Sequence, residues 1–407
     1  MKAYERLLKY VAIRTPSDEN SSTVPSSQCQ FDLAKVLESE MSELGLQDVQ
    51  LTEQCYLYGH LPATEGYERR PAIGFIAHMD TVSDYCEHDI TPVLTKNYSG
   101  KAMEIAKSGL ILDPAVFPHL KSLKGQTLIT SDGTTVLGVD DKAGIAEILT
   151  MIEYIQDKNI PHGKLCIAFT PDEEVGRGAE HFDVEKFGAD YAYTLDGDTE
   201  GEIQYENFNA CKACFDVRGF SVHPGSSKNT MINASLVAME INQLLPGCET
   251  PRGTEDYEGF YHLERMSGDC ASANLSYIVR DHDRNLFEAR KKTLRLIEKN
   301  LNEKWGEGTV TLTITEQYQN MAEIIAGCMH LIDYAKSACE AAGVTPLILP
   351  IRGGTDGCQL SFKGLPCPNL GTGGHAFHEP YEHITAEAMD KSVNVIIELV
   401  KLYATQA

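Results

Sequence analysis

Five short segments of this 407-residue chain place histidines and carboxylates where a metal ion could be held. His78-Met79-Asp80 closes the apolar run AIGFIAH. Residues two apart on a strand share a face, so Asp80 can accept the second ring N–H of His78 and fix its tautomer. Asp140 and Asp141 stand in LGVDDKAG, just ahead of a helical pattern. Asp141 reads as a helix cap, whereas Asp140 can bridge two ions if it faces the same crevice as His78. Glu173 and Glu174 follow the run KLCIAFT, so one can hold metal while the other takes a proton from water. Asp196 ends YAYTLD, and His375, His378 and His383 lie in a Gly-rich loop where one of them could complete the set. Singly, these are also the marks of solvated strand ends and caps. Jointly they supply the mixed nitrogen and oxygen donors that zinc accepts, at the strand ends where open α/β sheets bind ligands.

The elements that must carry these groups are legible in part. The runs 72–78, 164–170 and 191–196 read as buried strands, and 142–157 as a helix with Ile145, Ile148, Leu149, Ile152 and Ile155 at helical spacing. Strands alternating with helices predict an α/β domain with a mixed, largely parallel sheet flanked by helices. From 207 to 316 the rhythm changes to βαββαβ, the pattern of a ferredoxin-like α+β domain. Beyond Gln317 come a helix (321–343), the strand TPLILPI and a last helix from about Thr385. The reading is a discontinuous catalytic domain, 1–206 and 317–407, with a lid domain inserted at 207–316. Residues 92–125 read as an irregular excursion of no stated role.

Composition narrows the function classes. A net charge of −24 argues against nucleic acid or an anionic membrane as partner, because both require clustered Lys and Arg. No run approaches the roughly 18 apolar residues of a membrane span, and the N-terminal helix 3–13 lacks the apolar block of a secretory signal. Twelve scattered cysteines without an export signal predict reduced, buried thiols and a cytoplasmic protein. Cys211 and Cys214 form a lone CxxC inside a strand pattern, which favours a structural role over zinc or redox chemistry.

AHMDT, GVDDKAG, TPDEEVG, YTLDG and the H-x3-E of His378 and Glu382 together resemble the metal-site segments of the co-catalytic di-zinc exopeptidases. That family includes carboxypeptidase G-type enzymes, aminoacylases and succinyl-diaminopimelate desuccinylase. ITSDGTTVLGVDDKAGIAEI, AFTPDEEVGRGAEHFDVEKFGA, PIRGGTDGCQLSF and GLPCPNL are similar to its tripeptide aminopeptidase branch, in order along the whole chain. The resemblance implies two zinc ions per subunit, His78 and Asp196 on one, Glu174 and His378 on the other, with Asp140 between them. It makes Asp80 the partner of His78 and Glu173 the general base and acid. A cis peptide is implied at Asp140–Asp141. In the inserted domain it implies that His223 stabilises the oxyanion and that Arg280 and Arg352 hold the substrate carboxylate. The implied substrates are short peptides, cleaved at the N-terminal residue. The same site could instead serve a carboxypeptidase, a dipeptidase or an N-acyl-amino-acid deacylase. Homodimers occur in the family. Around His375, Ala376, Glu379 and Pro380 the chain departs from the family pattern, which leaves His375 and His383 as rivals of His378; the H-x3-E spacing favours His378.

Overall fold

The computed structural model describes residues 1–405. Its chain divides into two compact units, one formed by Met1–Tyr205, Glu323–Leu349 and the chain from Thr355 onward, the other by Glu206–Ala322 and Pro350–Gly354.

The first unit is built on an eight-stranded sheet. In spatial order its strands are Gln47–Leu51, Leu57–Leu61, Leu165–Thr170, Ile73–His78, Tyr191–Gly197, Asn369–Gly371, Glu202–Gln204 and Leu347–Ile348. Four neighbours at its centre, from Leu165–Thr170 to Asn369–Gly371, run parallel. These are the apolar runs of the sequence, and they lack polar alternation because both faces are covered. Phe75 and Tyr193 stack on one face, where the Tyr193 hydroxyl meets that of Tyr403 on the helix Ala386–Thr405 at 3.0 Å. Ile76, Ala168 and Ala192 point the other way, into a cluster with Phe182, Phe187 and Leu360. All four parallel strands therefore end on the same edge of the sheet, and every candidate metal residue lies at or beyond one of those ends or, for Asp140, at the start of the helix beside them.

Several expectations meet corrections. The pattern read as one helix over 321–343 is broken into Ala322–Ile325, a 3-10 turn and His330–Ala341, and of TPLILPI only Leu347–Ile348 forms a strand, with Ile351 making an isolated bridge to Asn207. A helix over Gln30–Glu43 joins the unit, burying Leu33, Ala34, Leu37 and Met41. The excursion after residue 92 is not structureless. It holds strands Val93–Thr95, Met103–Glu104 and Ile111–Leu112 and a 3-10 turn, Pro118–Lys121, around its own core of Tyr98, Ile105, Leu112, Leu120 and Leu123.

The second unit is a four-stranded antiparallel sheet in the order Phe260–Gly268, Ser272–Asp281, Asn209–Arg218, Val310–Tyr318. Helices Ala234–Gln243 and Arg284–Trp305 complete the βαββαβ order, capped by the carboxylate or amide oxygens of Asp283 and Asn233 as short polar caps require. Its core joins Phe215, Val237, Ile241, Tyr277, Leu294 and Ile297. All twelve cysteines are free thiols, but Cys248 is exposed and Cys29, Cys214, Cys270 and Cys328 are half-buried, so the expectation of uniformly buried thiols holds only for the rest. No described helix is long and apolar enough to cross a membrane.

Candidate metal centre

His78 is the last residue of its strand and is 2% exposed. Its Nδ1–H donates to the main-chain carbonyl of Asp80 at 3.0 Å, with the Asp80 carboxylate farther off at 3.4 Å. A carbonyl can only accept, so in the neutral ring the Nε2 atom carries the lone pair. That lone pair faces Asp140 Oδ1 at 2.8 Å and Asp196 Oδ1 at 3.6 Å. The carboxylate of Asp80 is spent differently from the sequence expectation: it accepts the backbone N–H groups of Glu173 (3.0 Å) and Glu174 (3.2 Å). Asp80 thus fixes the turn that carries both glutamates.

His378 approaches Asp140 from the opposite side. Its Nε2 lies 3.1 Å from Asp140 Oδ2 and 3.0 Å from Glu174 Oε2. One carboxylate therefore offers one oxygen to each imidazole. His378 reaches this place with a left-handed φ of 63°, a strained conformation for a non-glycine residue and one that functional sites concentrate. The peptide bond Asp140–Asp141 is cis. Asp141 does cap the helix, accepting the Gly144 N–H at 3.2 Å, and its other oxygen takes the backbone N–H of His78 at 3.1 Å.

Glu382, fully buried, was marked only by its spacing from His378. One of its oxygens accepts the N–H groups of Leu137 (2.6 Å) and Gly138 (2.7 Å), the other that of Asp140 (3.1 Å). Another residue invisible in the sequence is Asp172, which accepts from Ser26 and Gln30 beneath the Glu173 turn. His375 and His383 stay away from the carboxylates: their rings pack with each other and with His119.

Burial pushes Asp196 up to about 6 and Glu174 up to about 8, the latter aided by the charge of Asp140. Glu173 is pushed well above the usual carboxylate range by burial and by Asp196. Asp140 goes the other way, because its two imidazole partners outweigh the cost of burial. His78 is raised despite burial by its bonds to Asp140 and Asp196. A crowded set of carboxylates aimed at bare imidazole lone pairs requires a proton or a cation between them. Donors on one tetrahedral ion, with bonds of roughly 2.0–2.2 Å, lie about 3.4 Å apart, and the separations here bracket that value. Among the described residues, His78 with Asp140 and Glu174, and His78 with Asp196 and Asp141, converge closely enough for an ion. The donor set and its spacing fit a metal.

Residues 132–402 match the family described as Peptidase family M20/M25/M40. The chain belongs to this metal-dependent peptidase family. Within it, the chain is 53% identical to Peptidase T of Desulfitobacterium hafniense, over 99% of this chain and 98% of that one. It is 50% identical to Peptidase T of Alkaliphilus oremlandii over 98% of each. Its fold is that of the aminopeptidase PepT from Bacillus cereus, with a TM-score of 0.79 at 24% identity over 99% of this chain and 98% of that one. A dinuclear metal-binding M20 peptidase from Bacillus subtilis superposes with a TM-score of 0.67 at 14% identity, over 100% and 99% of the two chains. The α/β fold expected from the sequence is borne out.

The inserted unit holds the remaining expected residues. His223 is exposed, and its Nδ1 accepts the Gly225 N–H at 3.1 Å. Arg280 is buried, donating to the carbonyls of Cys211 (3.3 Å) and Val279 (3.1 Å), with its guanidinium over Tyr318. Arg352 packs on Phe208 and donates to the carbonyls of Asp256 and Glu258 and to the Thr254 hydroxyl. Cys211 is buried and Cys214 half-buried along one strand, as a structural CxxC requires.

Proposed function

We propose that the chain is a tripeptide aminopeptidase, hydrolysing the first peptide bond of free tripeptides and releasing the N-terminal residue. The reaction class rests on one observation: Asp140 presents its two carboxylate oxygens to two separate imidazoles, with Glu173 and Glu174 fixed beside them by Asp80. The substrate class is supported by the relatives named Peptidase T.

His78 and Asp196 would hold one zinc ion, Glu174 and His378 a second, and Asp140 would bind both. Ions held there supply Lewis-acid polarisation of the scissile carbonyl and acidify an attacking water. The chain's own groups do the rest. Glu173 accepts the proton of the attacking water and returns it to the leaving amine, a transfer that its fixed backbone aims. Asp80 keeps the His78 ring and the Glu173 turn in one frame. His223 of the inserted unit is assigned to the oxyanion. Arg280 and Arg352 are assigned to the substrate carboxylate, a role for which each exchanges main-chain carbonyls for carboxylate oxygens. A cavity of about 500 Å³ opens beside Glu174, lined also by Ser17, Val82, Asp84 and Arg177. The free thiols, none in a disulfide, support a reducing, cytoplasmic setting.

The direct test compares a free tripeptide with its N-acetylated and C-amidated forms, before and after chelation and zinc return. The proposal requires zinc-dependent cleavage that N-acetylation abolishes. Cleavage of the N-blocked peptide in preference to the free one would move the enzyme to the deacylase or carboxypeptidase side of the family.

A further inference from the structure

The two loop histidines that the carboxylate cluster leaves unused are met by a third from the excursion after residue 92. His119 Nε2 lies 2.8 Å from His383 Nε2, and the His119 ring stacks on His375 with centroids 3.9 Å apart and planes 25° from parallel. The tautomers follow from the far side of the pair. His383 Nδ1 is 2.7 Å from the carbonyl oxygen of Tyr381, which can only accept. Nδ1 therefore carries the proton, Nε2 offers its lone pair, and the His119 Nε2–H donates to it. Burial holds these rings neutral, lowering His375 to about 3 and His383 to about 4.

These rings sit at the neck of the loop that carries His378. The backbone N–H groups of His375 and His383 each donate to the other's carbonyl, at 2.9 and 3.0 Å, closing residues 375–383 into a loop. Both Ala376 and His378 inside it have left-handed φ values, 56° and 63°. Each such residue is strained and persists only when its surroundings over-determine it. Glu382 supplies one anchor through its three amides. The His119 contact supplies the other, and Phe117 extends it by packing on Tyr381 and His383.

We propose that His119 is a positioning residue for the metal centre: through His383 and His375 it braces the loop that presents His378 to Asp140 and Glu174. The excursion is then a buttress of the active site, an inference that rests on His378 being a metal-holding residue.

The test measures metal binding as well as rate. Apoprotein is titrated with Zn2+ by calorimetry, and the visible spectrum of the Co2+-loaded protein is recorded, for wild type, His119→Ala, His119→Gln and His378→Ala. In His119→Ala one of two metal equivalents is expected to bind about 10–100-fold more weakly, with an altered cobalt spectrum and a lower kcat. Glutamine can place an amide N–H where Nε2 stood, so His119→Gln is expected to recover most of the affinity. A His119→Ala protein with wild-type affinity for both equivalents and an unchanged cobalt spectrum would overturn the brace, whatever its melting temperature. If His378→Ala loses one equivalent while His119→Ala does not, the brace alone fails. If His378→Ala keeps both, the assignment of His378 fails and the inference with it. Should His119→Ala not fold, His119→Phe replaces it: weaker metal binding than in His119→Gln supports the brace, and equal binding overturns it.

Discussion

Glu382 holds Asp140 by its backbone: a carboxylate oxygen of the first lies 3.1 Å from the amide nitrogen of the second. The other oxygen takes the two preceding amides, so one buried side chain satisfies the turn that delivers Asp140 between two imidazoles. Removing it leaves three N–H groups without a partner, and the two buried ones, of Leu137 and Gly138, cost about 1–3 kcal/mol each. Glu382→Ala is expected to lower kcat/KM by at least about 100-fold and to lower Tm, with Glu382→Gln in between because it keeps one acceptor oxygen. Steady-state kinetics and thermal unfolding check this. A wild-type rate in Glu382→Ala would detach the residue from the site.

Glu173→Gln preserves size and keeps the main-chain bond to Asp80, but it cannot take a proton. We expect both metal equivalents to remain by elemental analysis while kcat falls by roughly 10²–10⁴. Near-normal turnover would remove Glu173 from the mechanism.

Gly178 lies on the loop that follows the two glutamates, and a Cβ there would sit 2.3 Å from both carboxylate oxygens of Asp356. Asp356 is buried and accepts the Thr170 hydroxyl at 2.8 Å, so it has little room to yield. Gly178→Ala is expected to cost about 1–3 kcal/mol of stability. In the double variant with Asp356→Ala the two costs are expected to be less than additive, since the clash is then gone. Strict additivity in denaturant titrations would show that the two residues do not meet.

The pH dependence of stability has a separable contributor in Glu202, which is 4% exposed and which burial pushes up to about 7. Its folded value lies above its unfolded one, so folding favours the protonated form. The contribution is full below about pH 4.5 and is lost as the pH rises to about 7. Glu202→Gln cannot ionise and escapes that loss. Relative to wild type it is expected to gain about 1–3 kcal/mol between pH 4.5 and 8. A difference that is the same at both pH values would contradict this.

Much of the candidate site was legible because most of its converging histidines and carboxylates close apolar strands or follow them. His78, Glu174 and Asp196 each stand at the carboxyl end of a run whose β character is plain, and Asp140 stands at a helix start. What each side chain touches was less legible. Spacing put the Asp80 carboxylate on the His78 ring, but the chain gives that ring the Asp80 carbonyl and sends the carboxylate to two amides about ninety residues on. The meeting of His119 with His375 and His383 joins segments with no common period, so nothing local announces it. Strands of two or three residues, such as Leu347–Ile348 and Asn369–Gly371, are too short to carry an alternation. By contrast, the helix Gln30–Glu43 has a readable face in Leu33, Leu37 and Met41.

The bond that is cut separates an aminopeptidase from the other chemistries of the family. A free tripeptide of three different residues, incubated with zinc-loaded enzyme and followed by mass spectrometry, decides it. The N-terminal amino acid and the intact C-terminal dipeptide are expected as the only first products. Release of the C-terminal residue, or no cleavage at all, would contradict this.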